Sequence, residues 1–343
     1  MTRRTFIANA ALAIALTTGV ACAQKVPINA GGATFPYPMY SKWFDAYNKK
    51  FPNVQINYQS QGSGFGIAQV TAGTVDFGAS DGPMNDMQIK EFQDKRGSAI
   101  LHFPTVMGAD VPVYNVPGVT GSINFTPEAL AGIFLGKITK WNDPEITKAN
   151  PGVNLPANNI VVVHRSDGSG TTYIWVDYLC KVSKEWETKV GRGTSVKWPV
   201  GLGGKGNEGV SGQVQQTANS IGYVELIYAV QNKMTYGKVK NAAGEFIQAS
   251  LAGVTAAAAG VKDMPDDFRV SITNAPGKGV YPISSFTWLL IPSKIQDPAK
   301  KKAIKDFLAW MLADGQNMTE ALSYAQLPKA VIAKELKAID KIQ

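Results

Sequence analysis

Ile160-Val161-Val162-Val163-His164-Arg165-Ser166-Asp167-Gly168-Ser169-Gly170-Thr171-Thr172 is a β-branched run that enters a turn rich in glycine and hydroxyls. A continuous apolar run of this kind reads as a strand buried on both faces. Just beyond the turn, Trp175, Tyr178, Leu179 and Val182 fall at helical spacing, so the turn opens a helix. Strand, loop and helix in that order point to an α/β architecture. Working outward, Tyr40, Trp43, Phe44, Tyr47 and Phe51 mark a helix, with Pro36 and Pro38 near its start and Pro52 past its end. Val54 to Tyr58 alternates as a half-buried strand, Ile67 to Ala72 is a short helix stopped by Gly73, and Val75 to Ala79 is a further strand. Ile304, Phe307, Leu308, Met311 and Leu312 repeat the helical spacing, ended by Asp314-Gly315. There is no internal repeat, and the low-complexity stretch Ala256 to Ala259 carries no assignment.

The chemistry gathers in glycine-rich loops that open helices. A helix start exposes backbone N–H groups at the positive end of the dipole, which suits an anion without any metal. Three loops have this form: Gly31-Gly32-Ala33-Thr34-Phe35-Pro36, Gly62-Ser63-Gly64-Phe65-Gly66, and Arg165 to Thr172, which adds a guanidinium. Any one of them alone is adequately explained as a helix cap with glycine for a tight turn. None is a nucleotide fingerprint: the third loop lacks the Walker lysine, the first lacks the dinucleotide glycine spacing, and Gly203-Gly204-Lys205-Gly206-Asn207-Glu208-Gly209 lacks the terminal Lys-Ser/Thr. Ser169 is flanked by glycine at the wrong spacing for a nucleophile elbow and reads as a hydrogen-bond donor. The two histidines, His102 and His164, have no second ligand at metal spacing.

Composition narrows the partners. The 343 residues carry a formal charge of +8, but no run of five to eight Lys/Arg exists, so the charge is dispersed and nucleic acid is not expected. Arg3-Arg4, the uncharged run Phe6 to Val20 and Ala21-Cys22-Ala23 have the layout of a cleavable export signal, placing the mature start at Gln24. Thr2 to Ile7 also loosely resembles a twin-arginine signal, and Gly19 stands where a lipid-modified Cys22 would need an aliphatic residue. Removing residues 1–23 leaves 320 residues, takes two arginines and so lowers the charge to +6. The remaining chain is long enough for about two domains and keeps one cysteine, Cys180, expected as an inert buried thiol. Trp141, Trp175, Trp198, Trp288 and Trp310 are expected in the core, and Lys300-Lys301-Lys302 at the solvated start of a helix.

Six strings together carry a resemblance. Gly-Ala-Thr-Phe-Pro from Gly32, Val-Asp-Phe-Gly-Ala-Ser-Asp from Val75, Phe-Leu-Gly-Lys-Ile-Thr-Lys-Trp-Asn-Asp from Phe134, Arg-Ser-Asp-Gly-Ser-Gly-Thr from Arg165, Val-Lys-Trp-Pro-Val-Gly-Leu-Gly-Gly-Lys-Gly-Asn from Val196 and Ser-Ile-Gly-Tyr-Val-Glu from Ser220 resemble the periplasmic phosphate-binding component of the high-affinity phosphate ABC transporter. The likeness runs through nearly the whole mature chain. It implies a type II periplasmic binding protein fold, α/β throughout, with each domain a mixed sheet flanked by helices and the two joined by a two-strand hinge. Residues 24–104 and 285–343 would form domain I and residues 105–284 domain II, with Phe103-Pro104-Thr105-Val106 and Tyr281 to Phe286 as hinge segments. It implies a phosphate held by Thr34, Phe35, Ser63, Asp81, Arg165, Ser169, Gly170 and Thr171, with Asp167 supporting Arg165. The family commonly has a second serine and a further glycine where this chain has Gly64 and Phe65.

The resemblance also implies a periplasmic monomer that hands inorganic phosphate to a membrane permease, with no cofactor, no metal and no catalysis. Asp81 beside an anion makes sense if the anion carries a proton, because a P–OH can donate to an ionised carboxylate whereas sulfate cannot. A protein for sulfate, molybdate or another oxyanion would have no use for Asp81. A phosphate-scavenging or signalling protein would keep the same site without a permease. A phosphatase would need a nucleophile with a neighbouring base or a two-metal carboxylate cluster, and neither is legible.

Overall fold

A computed structural model describes residues 25–343; the expected export signal lies outside the described residues. Three parallel strands begin the chain: β1 (Val26–Gly32), β2 (Val54–Ser60) and β3 (Phe77–Ser80), with β1 between the other two. Helices α1 (Tyr37–Lys50), α2 (Ser63–Ala72) and α3 (Asp86–Arg96) alternate with them. The long strand β4 (Ile100–Asn115) follows, then β5 (Asn124–Phe125), α4 (Pro127–Phe134) and α5 (Pro144–Thr147). The quoted run becomes β6 (Val161–Arg165) and α6 (Gly170–Val182), after which come α7 (Lys184–Lys189), β7 (Leu202–Gly204), α8 (Gly206–Gln216), β8 (Ser220–Glu225) and α9 (Leu226–Gln231). Short strands β9 (Thr235–Tyr236), β10 (Lys238–Lys240) and β11 (Phe246–Ile247) lead to α10 (Leu251–Ala259), which contains the alanine stretch. Strand β12 (Ser284–Pro292) and helices α11 (Pro298–Leu312) and α12 (Lys329–Ala338) complete the chain.

The strands form one hydrogen-bonded path, β2-β1-β3-β12-β4-β8-β6-β7, with β9 on β4 and a separate small sheet β11-β10-β5. β4 makes this continuity. Its residues Ile100 to Ala109 pair antiparallel with β12, and Asp110 to Asn115 pair antiparallel with β8. The parallel β1-β2-β3 group therefore stands at one end of β4 and the parallel β8-β6-β7 group at the other. Both segments expected to act as hinge lie in or lead into this β4–β12 pair, and the expected boundary at residue 104 falls inside β4. The register slips between Thr287 and Trp288, so Thr105 is the extra residue of a bulge. Pro104 is tolerated there because a bulge relaxes the demand for a ladder N–H.

Each group of strands has its own apolar packing. Met39, Tyr40, Trp43, Phe44 and Tyr47 bury one face of α1, and Tyr47 meets Phe307 of α11 edge-on at 5.2 Å. Burying each such side chain is worth roughly 1.5–3 kcal/mol, which is what docks the helix. On the other side, Trp175 of α6 stacks on Tyr223 of β8 at 5.0 Å. Trp141, Trp175, Trp288 and Trp310 are buried as expected, whereas Trp198 is only half-buried and stacks flat on His164 at 4.7 Å. Lys300 also departs from a solvated role: its ammonium grips both oxygens of Asp76 at 2.9 and 3.0 Å and ties α11 to the turn before β3.

Helix α2 begins at Ser63, four residues earlier than its apolar spacing suggests, because Gly62 at φ +99° turns the chain directly out of β2. It then lies so close to the sheet that only glycine fits at residue 66. A Cβ there would sit 2.5 Å from the Ala79 carbonyl oxygen and 2.9 Å from both the Gly31 oxygen and the Gly32 Cα, all of them backbone. Gly66→Ala is expected to destabilise the protein by about 1–3 kcal/mol through overpacking, read as a lowered denaturant midpoint with an unchanged slope.

Candidate functional site

Four helix N-termini meet in one cleft. Helices α1, α2 and α8 start after Pro36, Gly62 and Lys205, and none of the three has a side-chain cap. By contrast α3, α4, α5, α7, α9, α10 and α11 are each capped by Asn85, Thr126, Asp143, Ser183, Glu225, Ser250 and Asp297. The fourth, α6, is capped by Ser169, whose Oγ accepts from the Thr172 N–H at 3.0 Å. That leaves the Ser169 hydroxyl proton free to donate, in keeping with the donor role expected of it. Its backbone N–H is already committed to the Thr194 carbonyl at 2.7 Å.

The sequence-predicted residues do converge across the cleft. Thr34, Phe35, Ser63 and Asp81 come from the β1-β2-β3 side; Arg165, Ser169, Gly170 and Thr171 come from the β6 side; all are buried. A Cβ added to Gly170 would collide with both Asp81 Oδ2 and Ser63 Oγ, so the start of α6 lies directly against them. The Gly64 N–H donates to the Gly168 carbonyl at 2.8 Å, joining the second and third loops. At this crossing the two Cα atoms are so close that a Cβ on either would lie 3.0 Å from the other. Phe65 is half-buried, with its ring against Gly31 rather than in the cleft.

Arg165 is held in a fork. Its Nε and Nη2 donate to Asp167 Oδ1 and Oδ2 at 2.8 and 2.5 Å, and Nη1 donates to Thr171 Oγ1 at 3.2 Å. Burial opposes the charge on Arg165, but hydrogen bonding and attraction from Asp167 outweigh it, so the guanidinium stays charged. Burial raises Asp167 as well, and Arg165 together with the Gly206 N–H more than reverses this, leaving Asp167 below its ordinary value. Asp81 lacks such a partner. Burial pushes it up to about 7, against the opposing pull of Thr287, Arg165 and Ser63. Thr287 donates to Asp81 Oδ1 at 2.7 Å from the part of β12 opposite the β4 bulge. Sequence reasoning had no means of finding it, since 206 residues separate the two.

Three more residues join the site. Asn207 Nδ2 donates to Thr34 Oγ1 at 2.8 Å and to Thr171 Oγ1 at 3.1 Å, one from each side of the cleft. The signal for it was present: the loop from Gly203 to Gly209 is a fourth glycine-rich helix opening, considered and set aside only as a nucleotide motif. Tyr228 donates to the Thr34 carbonyl at 2.6 Å and Tyr324 to the Phe35 carbonyl at 2.5 Å, which fixes the backbone of the first loop. These contacts define a cleft for a small oxyanion, lined by helix starts, hydroxyls and one guanidinium, the arrangement of a solute-binding protein.

Comparisons agree with that class. The profile described as a PBP superfamily domain matches residues 16–315. The phosphate-binding protein PstS of Xylella fastidiosa (strain Temecula1) is 47% identical over 317 residues, 92% of this chain and 85% of that protein. The phosphate-binding protein PstS of Methanocaldococcus jannaschii is 39% identical over 340 residues, 93% of this chain and 87% of that one. Among solved structures, a high affinity periplasmic phosphate-binding protein (PfluDING) bound with phosphate shares the fold at TM-score 0.70 and 21% identity, over 90% of this chain and 93% of that one. An ABC-type phosphate transport receptor from Vibrio cholerae does so at TM-score 0.58 and 17% identity, over 88% of this chain and all of the other. The chain belongs to the PstS family of phosphate-binding proteins within the PBP superfamily.

Beneath the cleft lies a pair of buried acids. Asp110 of β4 stands opposite Glu225 of β8. Their N–H groups turn away to Ile283 O and Asn207 Oδ1, so the two are a non-hydrogen-bonded cross-strand pair with their side chains close. Both Asp110 oxygens and Glu225 Oε1 have no hydrogen-bond partner. Burial first, then the charges of Asp81 and Glu225, push Asp110 well above its ordinary value, with Arg165 pulling the other way. Between the ordinary carboxylate range and that raised value, the folded chain holds a proton that the unfolded chain has released, so stability falls as pH rises. Asp110→Asn removes this loss. It is expected to match the parent near pH 4 and to exceed it at pH 8 by about 1–3 kcal/mol in urea unfolding; a constant difference across pH would contradict the assignment.

Proposed function

We propose that this chain binds inorganic phosphate in the cleft and delivers it to the permease of an ABC phosphate importer. The observation that carries the reading is the convergence, from both sides of one buried cleft, of uncapped helix starts with Thr34, Ser63, Asp81, Arg165 and Thr171. The names of relatives at 39% and 47% identity support the choice of phosphate. The family is one of transport components, and the chain is not an enzyme.

In this reading the N–H groups of Thr34 and Phe35 and the Thr34 hydroxyl bind from the first loop, and Ser63 from the second. Ser169, Gly170 and Thr171 close from the start of α6, Arg165 supplies the one positive charge, and Asp167 holds it in place. Asp81 accepts the proton that phosphate retains at neutral pH. A buried anion is then neutralised mainly by oriented dipoles, which lose little to reorganisation because the helices and the Arg165–Asp167 fork already aim them. Residues 24–104 with 285–343 would move as one domain and 105–284 as the other, with β4 and β12 as the hinge strands and the Gly64–Gly168 contact as part of the closed state. Closure would present the permease with a ligand-dependent shape. An N-terminal leader spanning residues 1–23 would carry the chain to the periplasm, where it would act as a monomer; among the described residues no helix is long and apolar enough to cross a membrane.

Calorimetry with phosphate, arsenate and sulfate tests the reading. Phosphate and arsenate, both protonated tetrahedral anions, are expected to bind tightly, and sulfate weakly at pH 8. Because Asp81 sits at about 7, lowering the pH through that value converts it from an acceptor that repels sulfate into a donor that tolerates it, so sulfate binding is expected to strengthen. Asp81→Asn should erase that pH dependence and lower the phosphate-over-sulfate preference by about tenfold or more, roughly 1.4 kcal/mol. Equal affinity of the parent for sulfate and phosphate at pH 8 would overturn the proposal.

A further inference from the structure

We infer that Asn207 is a positioning residue that forces the hydroxyls of Thr34 and Thr171 to act as hydrogen-bond donors toward the cleft. The inference rests on the reading of the cleft as an oxyanion site, and deepens it by assigning what makes the two threonine positions demand acceptor oxygens of the ligand.

The argument is a count of lone pairs. A threonine hydroxyl has one proton to give and two lone pairs to receive with. Thr171 Oγ1 receives from Asn207 Nδ2 at 3.1 Å and from Arg165 Nη1 at 3.2 Å, which fills both. Thr34 Oγ1 receives from Asn207 Nδ2 at 2.8 Å and, at a longer 3.4 Å, from the Asn207 backbone N–H. Both oxygens are surrounded by groups that can only donate, so each hydroxyl is left with its proton to offer. The orientation of the amide is settled by its other end. Asn207 Oδ1 accepts from the Glu225 N–H at 3.0 Å, and a backbone N–H has nothing to accept with, so Nδ2 is the atom facing the threonines.

Asn207 is itself fully buried at the first turn of α8, and the two hydroxyls it joins come from opposite sides of the cleft. An unsatisfied amide proton would be costly in such a place, so while Asn207 is buried its amide is satisfied only with both threonines in reach. The same amide that sets hydroxyl polarity therefore also favours the closed cleft. Ligand oxygens that accept at these two positions meet two ready donors; a ligand that donates there meets two protons, so the proton of phosphate is directed away from the threonines, toward Asp81.

Asn207→Asp separates this role from a merely structural one. Aspartate keeps an oxygen for the Glu225 N–H but presents an acceptor to the threonines, so their protons turn away from the cleft. At pH 8 phosphate affinity is expected to fall at least a hundredfold. As the pH drops to 5 and the new carboxyl takes up a proton, it becomes a donor again, and the deficit relative to the parent is expected to shrink by tenfold or more. Asn207→Ala leaves the hydroxyls free to rotate and is expected to cost about tenfold, with a deficit that does not vary with pH. Unchanged binding in both variants, or equal and pH-independent losses in both, would overturn the inference. Should the aspartate variant not fold, Asn207→Ala and Thr171→Val combined must be non-additive; strict additivity would count equally against it. A parent protein that fails to bind phosphate removes the underlying reading as well, whereas a parent that binds while the variants are unaffected removes this inference alone.

Discussion

In the proposed reading, burying an anion without burying an equal countercharge is the constraint around which the molecule is arranged. A formal positive group alone would overbind or demand its own desolvation, since ion pairs taken out of water recover little of what they lose. Here the single guanidinium in the cleft is already matched by Asp167, and the remaining positive potential comes from N–H groups at helix starts. That choice propagates outward. Three of the four helices whose starts serve the cleft, α1, α2 and α8, have no side-chain cap, and the stability of α1 comes from apolar contacts such as its aromatic stripe. Their N-termini must also lie within contact distance of each other, which calls for glycine wherever backbone meets backbone. Gly66 against β1 and β3, and Gly64 against Gly168, are two such crossings.

The second element of the arrangement is the shared pair β4 and β12. Each of the two parallel strand groups is anchored to the same long antiparallel ribbon, so side chains that emerge from it can reach both. Thr287 does so for Asp81, and Asp110 places a buried acid below. The bulge at Thr105 lies between these points and is itself braced by Tyr40, whose hydroxyl meets Thr105 Oγ1 at 2.9 Å, and by Gln316, whose amide donates to the Thr105 carbonyl at 2.8 Å. An irregularity this well tied is a fixed feature that aims side chains.

The α/β class and the three principal loops were legible because each rests on local information. A β-branched run ending in Arg165-Ser166-Asp167-Gly168 announces strand and turn, and the Trp175 stripe announces the helix that must follow. Placement of these loops in one site came from the family resemblance, since no local pattern says that Thr34 meets Asn207 across 173 residues. What stayed hidden is tertiary in the same sense. Thr287 is an ordinary strand residue until β12 is laid beside β3, and Lys300 looks solvated until α11 is seen against Asp76. Trp198 was misjudged because spacing cannot tell an aromatic packed in the interior from one stacked on a half-buried histidine at a loop. The early start of α2 was hidden in a subtler way: its first turn, Ser63-Gly64-Phe65-Gly66, buries no apolar side chain fully, so the apolar period begins only after it.

The acids deepen the electrostatic argument. Asp81, Asp110 and Glu225 are all fully buried, and burial is the first cause that lifts each above its ordinary range. They also raise one another: Asp81 adds to both of the others, and Arg165, the one cation that opposes them at Asp110 and Asp81, is spoken for by Asp167. Three carboxylates cannot all be ionised at such close quarters, so protons are retained where the fold offers no cation. Asp81 is the least perturbed of the three because Thr287 and Ser63 donate to it, and it is the one that faces the helix start of α6. The deep pair is pushed toward its neutral form, which in the proposed reading spares an incoming anion like charge, while Asp81, pushed up to about 7, is the carboxylate placed where a proton on the ligand could be read.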